Sequence, residues 1–439
     1  MKFCMESSYP LFTVIIPQKN RAEYLGATLR TCMIQDYPNF EVIVSDDCSD
    51  DNSVEVAQEL ARRDCRIKVY PHDHHLGMHD NFEFALNQVR PGFVMALGGD
   101  DALTPNCIWR MYELIKESGR DLLTWIPASF YYPEIEGDKN LFIVRRAKHP
   151  YRIIKSKDFL QRLSNTFRYQ IDECPMFYVK GVVSTKLVDR VKSRTRDGCF
   201  YYCPTPDGYS GVVLAGEVED YVMSYEPLSI MGTTTKSQGK NYRRTDEKSR
   251  FESQQFFNDS LRRKMHVQLA SQPYSPIVTL MSADYLLTAK DLPGWPAQDY
   301  YEVSFEKLIR ETFRFISESF FSNETLVREF KILYKIAEQH NLESLFNELY
   351  SKTKKIVYRN NPIPAFTITR SLRFEGTEIG IHNIFDASLA VPFVYNFAGQ
   401  FSLKRLSQGI KNGYIALINT KKYTLESLPE LVRDDLKQE

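Results

Sequence analysis

The 439-residue chain carries no excess charge of either sign: 56 lysines and arginines meet 56 aspartates and glutamates. No overall field therefore draws it to nucleic acid or to an anionic membrane. It has no Cys-x-x-C pair. Its eight cysteines (Cys4, Cys32, Cys48, Cys65, Cys107, Cys174, Cys199 and Cys203) are scattered, several inside apolar helix or strand patterns, which suits buried free thiols in a reducing compartment. No apolar run approaches the length that spans a bilayer, and residues 1–10 lack the basic-then-apolar layout of a secretory leader. The expectation is a soluble, cytoplasmic protein, with peripheral contact at the inner face of the cell membrane left open. Repeats and low-complexity stretches are absent. So is Gly-x-Gly-x-x-Gly, which sets aside a Rossmann dehydrogenase. A Gly-rich, Arg/Lys-bearing phosphate loop near the start, expected of a nucleotidyltransferase that makes an activated sugar, is missing too. The length suits two or three domains and a large core.

What is there is alternation. Residues 12–16 are a β-branched run closed by Pro17 and the polar Gln18-Lys-Asn-Arg21. Leu25, Leu29 and Met33 then recur at helical spacing. A second strand at 40–44 leads into Ser45-Asp-Asp-Cys-Ser-Asp-Asp-Asn-Ser53, a loop rich in capping residues, and a helix to about Arg63. A strand at 66–70, a His-rich loop, a helix at 81–89 and a fourth strand from Gly92 complete the pattern. Strand and helix joined by short connections predict βαβ units and a largely parallel sheet.

The fourth strand ends in Val94-Met-Ala-Leu-Gly-Gly-Asp-Asp-Ala-Leu-Thr-Pro105. Gly98 and Gly99 permit a tight exit and close backbone approach by a ligand, and Thr104 with Pro105 reads as a helix N-cap and first helical residue. Asp100 and Asp101 then sit at the carboxyl end of a strand, where open α/β sheets bind ligands. Two hard oxygen donors there suit Mg²⁺ or Mn²⁺ shared with a diphosphate; the plainer reading is a turn followed by acidic residues near a helix start. The second strand also ends in paired aspartates, Asp46 and Asp47, and that repetition favours a nucleotide and metal site.

Three stretches carry a resemblance. Val14-Ile-Ile-Pro-Gln-Lys-Asn-Arg21, Asn39-Phe-Glu-Val-Ile-Val-Ser-Asp-Asp-Cys-Ser-Asp-Asp-Asn-Ser53 and Leu97-Gly-Gly-Asp-Asp-Ala-Leu-Thr-Pro105 resemble, in order, the P-x-Y-N-R, N-F-E-I-I-V-x-D-D-G-S-x-D-x-S and L-D-A-D-D-x-L-x-P landmarks of family 2 glycosyltransferases with the GT-A fold. The segment from Gly77 to Asn81 is similar to that family's N-x-G-x-x-x-A-R-N. The resemblance is close over about the first 110 residues and weaker to about residue 235. It implies a Rossmann-like, mostly parallel sheet flanked by helices, a nucleotide-sugar donor, and a Mn²⁺ or Mg²⁺ cofactor. Pro17, Gln18, Asn20, Gly77 and Asn81 would line the donor site. Asp47 would accept a hydrogen bond from the base, and Asp100 would be the direct metal ligand, with Asp101 holding a metal-bound water or a sugar hydroxyl. The departures are Gly98 for the first aspartate of D-x-D, Lys19 for a base-stacking tyrosine, Gln18 for threonine or serine, and Cys48 for glycine.

His72-Asp-His-His-Leu-Gly-Met-His79 holds four of the eight histidines. Zinc is one reading, help with the donor diphosphate or sugar a second, and a solvated loop a third. Further on, Tyr201-Tyr-Cys-Pro-Thr-Pro-Asp-Gly-Tyr209 resembles the family's P-D segment, whose acid is the general base of inverting members; this points to Asp207, a helix cap being the alternative. Asp172, Glu173 and Asp220 are fallback acids. Residues 231–239 read as a flexible polar loop, in which Lys236, helped by Arg243 and Arg244, could close over the diphosphate as well as serve as a plain linker.

The organisation expected is a GT-A domain over 1–240, a helical region over 241–355 and a small α+β region over 356–439. Apolar stripes such as Phe256, Phe257 and Leu261, or Leu308, Ile309, Phe313 and Ile316, read as packed core. Phe320 and Phe321 could mark a patch, and runs at 366–369, 379–381, 393–395 and 414–418 read as strands. The functional expectation is inverting transfer of a sugar to a hydroxyl of a glycan or lipid-linked glycan, in bacterial surface polysaccharide synthesis. The alternative is a degenerate scaffold that binds nucleotide or glycan without turnover.

Overall fold

A computed structural model describes residues 9–135, 140–145, 150–237, 242, 264–319, 321–356, 371–399 and 425–427. Expectations at Arg243, Arg244, Phe256, Phe257, Leu261, Phe320, 366–369 and 414–418 lie outside the described residues. The chain divides into two compact units, one of Met1–Ser156, Asp172–Thr234 and Ile363–Ile418, the other of Lys157–Ile171, Thr235–Pro362 and Asn419–Glu439.

The first unit opens with the expected alternation: β1 (Phe12–Gln18), α1 (Ala22–Met33), β2 (Phe40–Asp46), α2 (Ser53–Arg63), β3 (Ile67–Pro71), α3 (Met78–Asn87) and β4 (Phe93–Ala96). β1 pairs in parallel with β2, Phe12 opposite Phe40 through Gln18 opposite Asp46, and with β4 on its other side. Every residue of β1 and β2 is buried, as a parallel strand covered on both faces requires. Leu25 and Leu29 of α1, both fully buried, close over β1 and β2 in one core with Val14, Val42 and Met95.

The chain then runs through β5 (Ala102–Leu103), α4 (Cys107–Ser118), β6 (Leu122–Trp125), β7 (Ala128–Tyr131), β8 (Leu141–Arg145), β9 (Tyr151–Lys155) and α5 (Ser156–Thr166), which leads out of this unit. Re-entry brings β10 (Gly181–Ser184), α6 (Thr185–Arg194), α7 (Pro206–Gly216), β11 (Asp220–Ser224) and β12 (Ser229–Thr233). The main sheet has the order β3-β2-β1-β4-β10-β6-β11-β9. It is parallel from β3 to β4 and mixed beyond, because β10 runs antiparallel to both β4 and β6. The expectation of a largely parallel sheet therefore holds for one half of it.

A second sheet, β12 with β5, β7 and β8, ends on β14 (Ser371–Glu375), and α12 (Ile384–Gly399) packs its Ile384, Ala387 and Val391 into a core with Phe130, Phe142 and Tyr24. Residues 371–399 thus complete the first unit, where a separate region over 356–439 was expected. The run 393–395 lies inside α12, and 379–381 is a 3-10 turn and its exit, not a strand. Phe130 is fully buried in β7, which pairs with β8. Residues 231–233, assigned to a flexible loop, are the end of β12. Thr104 is not the cap of α4. Its hydroxyl donates to the Pro227 carbonyl at 3.0 Å, and the helix starts at Cys107 behind Asn106 in the left-handed region.

The second unit is helical, with α8 (Val278–Lys290), α9 (Phe305–Ser317), α10 (Asn323–Gln339) and α11 (Glu343–Lys352), and a short pair of strands, β13 (Lys354–Ile356) and β15 (Leu425–Ser427). Ser304 and Ser322 cap α9 and α10 by accepting from the Lys307 and Thr325 amides. Leu308, Ile309, Phe313 and Ile316 are buried, as are Leu326, Phe330, Leu333 and Ile336, and Phe321 is 2% exposed. These stripes are core.

Candidate active site

From β1 the chain builds outward through β2 to β3, then returns to place β4 on the other side of β1. In open α/β sheets such a reversal of strand order places the ligand crevice outside the carboxyl ends of the strands concerned, here β1 and β4. Three loops rim this end of the sheet: residues 18–21 after β1, 46–52 after β2 and 97–101 after β4.

The first two loops are locked to each other. The Gln18 amide donates to Asp46 Oδ2, and Asp46 also accepts from the Ser49 amide and hydroxyl at 2.9 and 2.7 Å. Asn20, at φ 54°, donates its backbone N–H to Ser49 Oγ and accepts from the Asp50 amide through Oδ1, both at 2.8 Å. Pro17 is buried opposite Ser45. The hydrogen bonds of Gln18 and Asn20 thus set the shape of this loop.

Asp47, 3% exposed, accepts from the Leu76 amide at 2.6 Å, from the Gly77 amide at 3.1 Å, and lies 2.8 Å from His75 Nδ1. It ties the histidine loop to the end of β2. Gly77 takes φ 87° as the residue before α3, a backbone that glycine adopts at little cost. Asn81 is buried, accepting from the Ser45 hydroxyl at 2.6 Å and donating to its carbonyl at 3.2 Å. The four histidines have separate surroundings: His72 on Ser45, His75 beside Asp47 and Lys19, His79 on Asp80 and the Tyr201 carbonyl, and His74 exposed. Among the described residues no group of three or more His, Cys, Asp or Glu side chains is placed to hold a metal ion.

The third loop brings together the acids singled out in sequence. Asp100 Oδ2 accepts from the Thr234 hydroxyl at 3.0 Å and lies 3.7 Å from Arg21 Nε. Asp101 is turned inward, 1% exposed, with Oδ2 accepting from the Gly98 amide at 2.7 Å and Oδ1 from the Gly232 amide at 2.8 Å. Both carboxylate oxygens are thus engaged by backbone amides, and the side chain anchors the end of β4 to β12. Burial, and then the neighbouring Asp100, push its carboxyl up to about 7. Glycine at 98 has a local reason. A Cβ built there would fall 2.6 Å from Tyr178 Oη, 2.8 Å from Asp101 Oδ2 and 2.9 Å from Asp100 Oδ1.

Tyr178, half-buried, brings its hydroxyl to this loop, a position that sequence reading did not single out. Its hydroxyl hydrogen-bonds Asp101. Burial holds the phenol well above its ordinary range, helped by the charges of Asp101 and Asp100, eased by Arg21, and raised again by Asp207. Asp207 therefore lies within electrostatic reach of the same phenol. It sits in the first turn of α7 behind Pro206, with Thr205 as the N-cap residue, so it is not the cap. The turn is stitched to the Tyr178 segment by Ser210, whose hydroxyl donates to the Asp207 carbonyl at 2.6 Å and accepts from the Phe177 amide at 2.9 Å. A second unpredicted residue, Glu83 of α3, fixes the approach to Asp207 by accepting from the Phe200 and Tyr201 amides at 2.9 and 3.0 Å.

The other acids are engaged elsewhere: Asp172 with Arg145 at 2.5 Å, Glu173 with Arg152, and Asp220 with Arg120 and Lys155 at 3.0 and 2.9 Å. Lys236 falls in the second unit and is half-buried.

The family model described as "Glycosyl transferase family 2" matches residues 13–176. Among similar proteins, the glycosyltransferase GlyG of Streptococcus pneumoniae is 26% identical over 132 residues, which is 30% of this chain and 42% of that protein. A GalNAc(5)-diNAcBac-PP-undecaprenol beta-1,3-glucosyltransferase of Campylobacter jejuni is 32% identical over 109 residues, 25% of this chain and 35% of that protein. The putative teichuronic acid biosynthesis glycosyltransferase TuaG of Bacillus subtilis is 29% identical over 108 residues, 25% of this chain and 43% of that protein. The matched stretch thus spans less than half the length of each of these relatives. Among solved structures, S. aureus TarS 1–349 in complex with UDP-GlcNAc aligns over 79% of this chain and 94% of that one, at 15% identity and a TM-score of 0.42.

Proposed function

Residues 13–176 belong to glycosyl transferase family 2, and from that premise we propose that this chain is an inverting glycosyltransferase. It moves a sugar from a nucleotide-diphosphate donor to a hydroxyl of a glycan or lipid-linked glycan, in bacterial surface polysaccharide synthesis. The observation that carries the reading is the Ser210 hydroxyl, which ties the Asp207 turn to the Phe177 amide, one residue from Tyr178, whose hydroxyl lies against the loop of Gly98, Asp100 and Asp101. On this reading Asp100 serves the donor end and Asp207 the acceptor end. The acceptor class is supported by the names of the relatives, one acting on an undecaprenol-linked glycan and one assigned to teichuronic acid. No helix among the described residues is long and apolar enough to cross a membrane.

Asp100 is the residue that would hold Mn²⁺ or Mg²⁺. With Asp101 turned inward, the donor set is one carboxylate beside open crevice, which fits a cation held by one or two carboxylates and substrate phosphates rather than by a protein cage. When bound, such a cation neutralises the charge that gathers on the departing diphosphate. Arg21, beside Asp100, adds a fixed positive charge. Asp207 takes the proton of the acceptor hydroxyl as its oxygen bonds to the anomeric carbon and the bond to the diphosphate oxygen breaks. A single displacement of this kind inverts the centre. Asp47 and the loops it binds shape the base pocket.

The test is calorimetric titration with UDP, GDP, ADP and CDP in Mn²⁺ and in EDTA. Metal-dependent binding of one nucleotide is expected, lost in Asp100→Ala. Asp207→Asn should bind that nucleotide normally and transfer roughly a hundredfold more slowly or worse; near-normal transfer would place the base elsewhere. Tight binding with no transfer to any glycan would favour the scaffold without turnover, the reading that glycine at position 98 supports.

A further inference from the structure

We propose that the Tyr178 hydroxyl takes the place of the missing first carboxylate of the Asp-x-Asp pattern and accepts a hydrogen bond from a hydroxyl of the nucleotide-sugar donor. This rests on the donor site proposed above and names one more group in it.

Position comes first. A side chain at residue 98 would start within 2.6 Å of Tyr178 Oη, between the carboxylates of Asp100 and Asp101. The phenol oxygen, delivered from a strand connection 80 residues away, fills the volume into which an aspartate at 98 would grow. A side chain at 98 and the Tyr178 hydroxyl therefore compete for one volume.

Orientation follows from the hydrogen bonds. Tyr178 gives its proton to Asp101, the partner that holds both backbone neighbours through the Gly98 and Gly232 amides. Its oxygen keeps acceptor capacity, and the only chemistry it can then offer a ligand is that of an uncharged acceptor for an O–H or N–H. The backbone is built to hold that aim. Val179 sits at φ 60°, an outlier for a β-branched residue. It is pinned there by its own N–H to the Ala96 carbonyl at 2.7 Å and by the Ser229 hydroxyl on its carbonyl at 2.5 Å. Gly181 lets the same segment fold back, since a Cβ there would meet the Met176 carbonyl at 2.3 Å. A strained, over-determined turn that places one phenol beside Asp100 and Asp101 is the arrangement expected of a ligand-contacting group.

A hydroxyl in place of a carboxylate leaves the crevice with one negative charge fewer, so Asp100 alone carries the charge toward a cation. Recognition by an uncharged acceptor suits the two kinds of hydroxyl a nucleotide-sugar presents, on the ribose and on the sugar.

The experiment separates them. Full-length wild type and Tyr178→Phe are titrated in Mn²⁺ with the nucleoside diphosphate that binds among UDP, GDP, ADP and CDP, with its 2′-deoxy and 3′-deoxy forms, and with its glucose and N-acetylglucosamine esters. Thermal melting checks that the variant is folded. If the ribose supplies the hydroxyl, Tyr178→Phe binds the ribonucleotide roughly five- to tenfold more weakly and one deoxy form unchanged, erasing the wild-type preference. If the sugar supplies it, the loss appears only with the esters. Equal affinities in both proteins for every probe would overturn the proposal, and so would a uniform loss that includes both deoxy forms, because a purely structural tyrosine would produce it. A wild type that binds no nucleotide would sink the transferase reading itself, and this inference with it.

Discussion

Restoring the family's aspartate at position 98 should damage this protein. Gly98→Asp would set a Cβ 2.6 Å from Tyr178 Oη, 2.8 Å from Asp101 Oδ2 and 2.9 Å from Asp100 Oδ1, all closer than atoms pack in a protein interior. Tyr178 cannot simply swing aside, since its backbone is fixed by the Val179 turn and its hydroxyl by Asp101. The new carboxylate would also join two others in a place where burial already pushes the Asp101 carboxyl up to about 7. Overpacking of this kind costs about 1–3 kcal/mol, and the like charges add to it. Urea denaturation should therefore show a loss of about 2 kcal/mol or more. Calorimetry should show Mn²⁺-dependent nucleotide binding weakened at least roughly tenfold, the factor that about 1.4 kcal/mol represents. The double variant Gly98→Asp with Tyr178→Ala removes the shortest of those three contacts and returns a carboxylate to the site, so it should recover part of that binding. A Gly98→Asp single variant with wild-type stability and tighter metal-dependent binding would refute the reasoning: the phenol would then not occupy the aspartate's place.

Two further perturbations read the scaffold around the site. Gly232→Ala would bring a Cβ to 1.8 Å from the Asp100 carbonyl oxygen, backbone against backbone with no rotamer to relieve it, so denaturation should show about 3 kcal/mol or more lost together with nucleotide binding. Gly77→Ala meets open space and bears only the strain of φ 87°, which puts its cost at about 1 kcal/mol. Glu41 tests the sheet. Burial raises the pKa of its carboxyl, but Arg90 and Lys68, at 2.8 and 2.7 Å, outweigh that and hold it below the ordinary glutamate range. A depressed folded-state pKa supplies stability that is present above the unfolded-state value and lost as pH falls through the folded one. Glu41→Gln should thus be less stable than wild type at pH 7, by about 1 kcal/mol for a pair with exposed partners, and should show a flatter loss of stability below about pH 4. Parallel acid arms in the two proteins would refute it.

The first hundred residues were legible because each level of information agreed. Residues 12–16 and 40–44 are β-branched runs that become fully buried parallel strands, and Leu25, Leu29 and Met33 mark the helix face that closes over them. Beyond β4 local pattern no longer decides. β10 runs antiparallel because Val183 and Ser184 pair with Val94 and Phe93 across about 90 residues, which no window of sequence contains. Residues 393–395 look like a strand but lie in α12, whose Ile384, Ala387 and Val391 are spaced for one helical face. The helix wins because that face completes a core whose other half, Phe130 and Phe142, lies about 250 residues earlier.

At the site itself, sequence resemblance identified positions but not which oxygens were already engaged. Asp46 and Asp47 look alike on paper, yet one closes its own loop through Ser49 and the other grips the Leu76 and Gly77 amides. Asp100 and Asp101 divide in the same way, the second given wholly to backbone amides and Tyr178. What separates members of each pair is the direction in which a carboxylate leaves a turn, and that is set by partners far away in sequence, Gly232 and Tyr178 for one pair and the histidine loop for the other. A motif therefore gives the number of acids at a strand end, while the fold decides how many of them a ligand can meet. On the proposed reading Asp100 is the acid left for a cation, and the Tyr178 hydroxyl, in the space a side chain at 98 would enter, accounts for why a glycine fits there.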